Sequence, residues 1–195
     1  IADMKEEVFS KKSFIGGWYI NKKLCDDLIK YYKKTPEKTT GSFGTREKTL
    51  VDNKIKDSID MMVHPNNRNK LIIKYREELQ KCLNQYLKKY KDANYVDPFN
   101  INGYFNIQGY KKGGGYKMFH FERSGLINSN RILVFMTYLN TVPDGGTIFK
   151  YQKITAPAKQ GLTLIWPTDW THTHKGQVSL KNKKYIATGW FTFND

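Results

Sequence analysis

Tyr116-Lys117-Met118-Phe119-His120-Phe121-Glu122 reads as a β-strand, one of several short aromatic and β-branched runs in the second half of the chain. His120 and Glu122 are two residues apart, and side chains of a strand alternate between faces, so imidazole and carboxylate point to the same side. Downstream, His172-Thr173-His174 offers a second imidazole, and Lys184-Tyr185 follows. Two imidazoles and one carboxylate on one face of a metal leave coordination positions open. Such a set points to a mononuclear non-haem Fe(II) centre.

Around this stretch the pattern predicts strands over 102–110, 116–122, 131–139, 147–152, 161–166 and 184–193. Turns are expected at Gly113-Gly114-Gly115, Pro143-Asp144-Gly145-Gly146 and Trp166-Pro167-Thr168-Asp169. The first half is helical. Asn21 is placed to cap a helix carrying Leu24, Cys25, Leu28, Ile29 and Tyr32 at helical spacing, which ends before Pro36. Pro65 and Asn66 are expected to open a longer helix with Leu71, Ile72, Tyr75, Leu79, Cys82, Leu83, Tyr86 and Leu87 on one face. Residues 36–62 are polar, with little periodicity, and read as a long loop, a candidate substrate lid. Helices first and strands afterwards imply an α+β fold in which N-terminal helices pack on one sheet of a two-sheet β-roll. At 195 residues the chain suits one domain, with 1–98 as helical support and loop and 99–195 as the β-roll core.

Lys+Arg 33 against Asp+Glu 18 gives a net charge of +15, which favours an acidic partner, nucleic acid among them. The cations are nearly all lysine, with arginine only at Arg46, Arg68, Arg76, Arg123 and Arg131. Bidentate base reading relies on arginine, so sequence-specific nucleic-acid recognition is not favoured, and a lysine-rich solvated surface is the plainer account. Cys25 and Cys82 fall at apolar helix positions and are expected to be reduced, buried thiols. No apolar run approaches the roughly 20 residues of a membrane span, and no signal-peptide pattern opens the chain. A soluble, cytoplasmic protein is expected, in the host cytoplasm if the gene is a phage's. The chain opens on Ile1, which leaves its natural start open.

From about residue 100 onward the order of residues resembles the prolyl 4-hydroxylase branch of Fe(II)- and 2-oxoglutarate-dependent dioxygenases. The ordered elements are Tyr110, Gly113 to Gly115, Tyr116, His120-Phe121-Glu122, Arg131, Tyr138-Leu139-Asn140, Gly145-Gly146-Thr147, Pro157, Gly161, His174, Lys184 and Trp190. Phe14 to Trp18 and the helix from Leu24 are similar to the lead-in of phage-type members. The resemblance implies a double-stranded β-helix (jelly roll, cupin-like) core. It implies Fe(II) held by His120, Glu122 and His174, 2-oxoglutarate as cosubstrate bound by Tyr110, Tyr138 and Lys184, O2 as oxidant and ascorbate as reductant. It further implies hydroxylation of prolyl or other amino-acid residues in a peptide or protein, with succinate and CO2 as coproducts.

Glu122 departs from the family, whose carboxylate here is usually aspartate; the extra methylene moves the oxygens by somewhat more than about 1 Å on a fixed backbone. Tyr116 stands four before the histidine rather than three, and the Gly-Gly turn lacks its glutamate. His172 competes with His174 as ligand, and family spacing to Gly176, Val178 and Lys184 favours His174. Lys184 shares a strand face with Ile186, Thr188 and Trp190, which selects it over Lys183. His64 reads as a capping or surface residue. Arg123, Trp166 and Trp170 are candidates for the substrate mouth, with core or rim packing as the plainer account for the tryptophans. The competing functions are a basic nucleic-acid-binding or structural module without turnover, and an oxidative nucleic-acid demethylase.

Overall fold

Asparagine side chains start both long helices. In α1 (Lys22–Lys34) the Asn21 carboxamide oxygen accepts from the Leu24 amide at 3.1 Å, and in α2 (Lys70–Lys89) that of Asn69 accepts from Leu71 at 2.9 Å. The second helix thus begins later than Pro65-Asn66. The His64 ring accepts the Asn66 amide and Asn67 accepts that of Asn69, so local side-chain acceptors hold 64–69 in a turn until Asn69 takes over as cap. The computed structural model describes residues 3–45 and 48–195.

Strands β1 (Gly16–Tyr19), β2 (Thr39–Thr40), β3 (Phe43–Gly44), β4 (Thr49–Leu50), β5 (Ile59–Val63) and β6 (Phe99–Asn100) precede the main β-rich half. That half contains β7 (Phe105–Tyr110), β8 (Arg131–Tyr138), β9 (Val142–Phe149), β10 (Ile154–Ala158), β11 (Leu162–Pro167), β12 (His174–Gly176) and β13 (Lys184–Phe193). The large sheet runs β1-β11-β8-β13-β7-β5-β2, with β6 on the far end of β13; the small sheet runs β10-β9-β12, and β3 pairs with β4. Two facing antiparallel sheets with helices outside the larger one match the expected α+β double-stranded β-helix.

The large sheet is buried on both faces. Leu133, Phe135, Ile165, Ala187 and Phe191 face Leu24, Leu28, Tyr75, Leu79, Leu83 and Tyr86 of the helices. Alternate residues of the same strands, among them Val134, Tyr138, Leu164, Trp166 and Ile186, face Phe149 and Ala156 of the small sheet. Cys25 and Cys82 are free and buried in the helix-side core. Among the described residues no helix is long and apolar enough to cross a membrane.

Several sequence expectations need correction. Residues 116–122 are not a strand: only isolated bridges form there, Lys56 with Tyr116 and His120 with His174. The glycine turn before them and the turn after Glu122 leave too few residues for a ladder. Residues 36–62 are not one loop, since β5 adds to the edge of β7 and β3 and β4 form a small hairpin; Asp60, buried within an otherwise apolar run, hides that strand. The part of the expected lid at Arg46 and Glu47 lies outside the described residues. Strand 147–152 is instead 142–149, because Pro143-Asp144-Gly145-Gly146 is a bulge within β9: Ala158 pairs with Val142 while Ala156 pairs with Thr147.

Gly161 opens β11 in a left-handed conformation (φ 87°), where an added Cβ would lie 2.6 Å from the Ile20 carbonyl oxygen. Gly161→Ala is expected to destabilise the fold by about 1–3 kcal/mol, read as a lower denaturant midpoint with unchanged slope.

Candidate metal centre and cosubstrate pocket

Ligand-capable atoms of His120, Glu122 and His174 lie within 4.8 Å of one another. One carboxylate oxygen of Glu122, Oε1, is 3.3 Å from His120 Nε2 and 3.2 Å from His174 Nε2. The two histidines are tied through the main chain: each accepts the other's amide hydrogen bond at 2.9 Å. Each ring also donates from Nδ1 to the carbonyl two residues back, His120 to Met118 at 3.0 Å and His174 to His172 at 2.7 Å. That fixes the tautomer, turning both Nε2 lone pairs inward as a metal requires. Burial and then the neighbouring His174 push His120 below the usual histidine range. Burial would raise the Glu122 carboxyl, but whenever a proton sits on Nε2 of His120 or His174, in the place a metal would take, its hydrogen bond and charge outweigh this and hold the carboxyl well below the carboxylate range. Neutral imidazoles and an ionised carboxylate are the forms that bind Fe(II).

Packing orients the rings further. Tyr116 stacks on His120 at 3.6 Å and 9°, and Trp166 meets His174 edge-on at 5.0 Å. The second oxygen of Glu122, Oε2, accepts the Trp190 indole N–H at 3.2 Å. Arg131 stacks on the Trp190 ring at 3.6 Å and donates to the Glu122 carbonyl at 2.8 Å.

The three groups open onto a cavity of about 480 Å³ that runs along the inner face of the large sheet. Its walls include Tyr110, Tyr138, Thr147, Lys184, Ile186, Thr188 and Trp190, so the alternation expected along β13 holds. Lys184 is buried and Lys183 exposed. The Lys184 ammonium donates to the carbonyls of Gly145 at 3.0 Å and Gln177 at 3.2 Å, neutral acceptors only. Burial pushes its pKa down to about 8. Among the described residues this buried cation has no counter-charge, which suits the free carboxylate of a dicarboxylic acid. The Tyr110 hydroxyl donates to Gln108 Oε1 at 2.9 Å, and Tyr138 is hydrogen-bonded to Thr147. Burial raises both phenols, keeping them neutral and able to donate.

Residues 105–192 match the family described as the 2OG-Fe(II) oxygenase superfamily. The C-terminal half of this chain is a 2OG-Fe(II) oxygenase domain. The oxygenase domain's cofactor and cosubstrates are accordingly Fe(II), 2-oxoglutarate and O2. The donor set and the uncompensated lysine fit the first two. No match was found among curated protein sequences. Solved structures share the fold. A viral collagen prolyl hydroxylase from Paramecium Bursaria Chlorella virus-1, in complex with 2OG, is 18% identical; the match covers 93% of this chain and 97% of that one with a TM-score of 0.66. A Pseudomonas putida prolyl-4-hydroxylase is 13% identical, with 93% of each chain covered and a TM-score of 0.62. A Trichoplax adhaerens prolyl hydroxylase, bound to a hypoxia inducible factor peptide fragment, is 13% identical over 90% of this chain and 83% of that one, with a TM-score of 0.69.

Most of the other candidates lie elsewhere. His172 is in a short 3-10 turn rather than on a strand, and both ring nitrogens are engaged, with Thr171 Oγ1 at 2.9 Å and the Ser13 carbonyl at 2.7 Å. It anchors the N-terminal segment. Arg123 is forked onto Asp169 at 2.9 and 2.8 Å and does not line the cavity. Trp166 does line the cavity, but from its fully buried inner wall against His174 rather than at the mouth, and Trp170 is exposed beside Tyr151, off the cavity. The solvent-exposed part of the lining instead includes Met118, Phe121 and Ile127 together with Ser42, Gly44, Thr45, Lys48 and Thr49.

A buried wall of Lys56, Asp60 and Gln108 also went unread in the sequence. The Lys56 ammonium is 3.4 Å from Asp60, and Gln108 donates to Asp60 at 3.2 Å. Gln108 stands two before Tyr110 on the same strand face, a signal that alternation alone could have given.

Affinity for 2-oxoglutarate should depend on pH through Lys184. Its ammonium is mostly charged at pH 7 and is lost as pH rises through about 8, so binding measured by calorimetry should weaken by roughly tenfold from pH 7 to pH 9.

Proposed function

We propose that this 2OG-Fe(II) oxygenase hydroxylates a prolyl residue, or failing that another amino-acid side chain, within a peptide or protein. His120, Glu122 and His174 are the proposed iron ligands, and Tyr110, Tyr138 and Lys184 the proposed 2-oxoglutarate contacts. The observation that carries the reading is one cavity lined both by three converging ligand atoms and by a buried, uncompensated lysine. Bound iron supplies the redox centre at which 2-oxoglutarate and O2 become succinate and CO2 while one oxygen atom enters a substrate C–H bond.

The chain's own residues do the rest. Lys184 neutralises the distal carboxylate, Tyr110 and Tyr138 offer hydroxyl donors to the cosubstrate, and the Ile186 side chain keeps its methylenes out of water. The peptide substrate is supported by the Trichoplax neighbour and its bound fragment, and by a mouth with exposed apolar residues: Met118, Phe121 and Ile127 are 44%, 39% and 98% exposed. We read residues 1–195 as one catalytic unit, residues 1–98 supporting the core.

Incubation of the protein with Fe(II), 2-oxoglutarate and ascorbate, together with a library of proline-containing peptides, tests this reading. Mass spectrometry should find a one-oxygen gain on proline together with stoichiometric succinate. Succinate with oxygen gained only on other residues would move the substrate class; no substrate-stimulated succinate from any peptide would overturn the peptide reading.

A further inference from the structure

Glu122 brings a difficulty that aspartate does not. Its side chain has one more rotatable bond, so its carboxylate is freer to turn and present both oxygens to a metal. A carboxylate bound through both oxygens would take a coordination position that a chelating keto acid or O2 needs. The two oxygens are nevertheless in different environments. Oε1 faces both histidine Nε2 atoms, at 3.3 and 3.2 Å, while Oε2 accepts the Trp190 indole N–H at 3.2 Å. The indole is itself gripped: the Arg131 guanidinium lies 3.6 Å over its ring and also donates to the main-chain carbonyl of Glu122 at 2.8 Å. One arginine therefore registers the backbone of the carboxylate residue against the ring that holds its far oxygen.

We propose that Trp190, held by Arg131, is a positioning residue that keeps Glu122 a one-oxygen metal ligand and so preserves the open positions of the site. The proposal rests on the assignment of His120, Glu122 and His174 as metal ligands. The clamp is specific to glutamate. With the backbone fixed, an aspartate carboxylate would stop about one bond length short of the indole, well beyond hydrogen-bonding range.

Cobalt(II), bound anaerobically in place of iron, reports coordination number through its visible absorption without any turnover. Trp190→Phe keeps a ring under Arg131 but removes the N–H. It should shift the Co(II) spectrum toward higher coordination, with weaker bands. It should also weaken 2-oxoglutarate binding to the metal-loaded protein by about tenfold, the lower end of what partners of metal ligands contribute, while metal affinity holds or tightens. Arg131→Met, which still covers the ring but cannot donate to the Glu122 carbonyl, should move the spectrum in the same direction by less. In a Glu122→Asp background, Trp190→Phe should change neither spectrum nor 2-oxoglutarate affinity.

Equal effects of Trp190→Phe in both backgrounds, or an unchanged spectrum in folded Trp190→Phe and Arg131→Met proteins, would overturn the clamp and leave Trp190 as cavity wall. Absence of stoichiometric Co(II) binding by the unaltered protein, or binding insensitive to His120→Ala, would overturn the ligand assignment and the clamp with it.

Discussion

His120→Ala is expected to reduce Fe(II) affinity by more than about 100-fold and to abolish succinate formation, whereas the fold should survive. Groups that merely orient metal ligands contribute about 10–100-fold, and His120 supplies a nitrogen directly to the cluster. Its ring is also one wall of the site, stacked on Tyr116, so the truncation leaves a small cavity at the rim rather than in either core. Equilibrium metal titration, with circular dichroism as the folding control, checks both parts. Fe(II) affinity within about threefold of the parent would remove His120 from the ligand set.

Lys184→Met should move two properties in opposite directions. Affinity for 2-oxoglutarate should fall by a factor on the order of 10² to 10³, because the distal carboxylate would be buried without its cation. The unliganded protein should become more stable. A lysine whose pKa is pushed from 10.5 to about 8 by burial costs the fold roughly 3 kcal/mol while it is charged, and that cost is present below pH 8 and relieved as pH rises from 8 towards 10.5. Methionine fills similar volume without charge, though it leaves the carbonyls of Gly145 and Gln177 short of a donor, so a net gain of about 1–2 kcal/mol is expected. Denaturant unfolding at pH 7 with and without 2-oxoglutarate separates the two effects; loss of stability in the ligand-free variant would contradict an uncompensated cation.

Much of this was legible in the sequence because the informative residues repeat at structural periods. The stripe from Leu24 to Tyr32 and that from Ile72 to Tyr86 are the buried faces of α1 and α2, and alternation from Lys184 to Trp190 gives the cavity face of β13. Local pattern failed where backbone pairing is isolated or interrupted. His120 and Glu122 face the same space, yet a bridge and a turn bring them there, not a ladder. The bulge at Pro143 to Gly146 looked like a chain reversal because its residues are those of turns. Asp60, a buried charge satisfied by Ser58, Gln108 and Lys56, reads as exposed loop until its distant partners are seen. The indole of Trp190 reaches Glu122 across 68 positions, a contact no local pattern encodes.

The reciprocal amide pairing of His120 with His174 bears on how such a site drifts over evolutionary time. Peptide groups are the same at every position except proline, so this crosslink between the two imidazole-bearing segments is indifferent to what surrounds it. Exchange of neighbouring side chains leaves that backbone separation in place, while the tilt of each ring still depends on Tyr116 and Trp166. Only insertion or deletion between the bridge and its flanking turns, or a proline at either paired position, would break the spacing. Under that constraint the chain can diverge to 13–18% identity from structures with which it shares its fold. The tolerance extends to the third member, where a glutamate can stand for an aspartate because the imidazole pair does not depend on it for alignment.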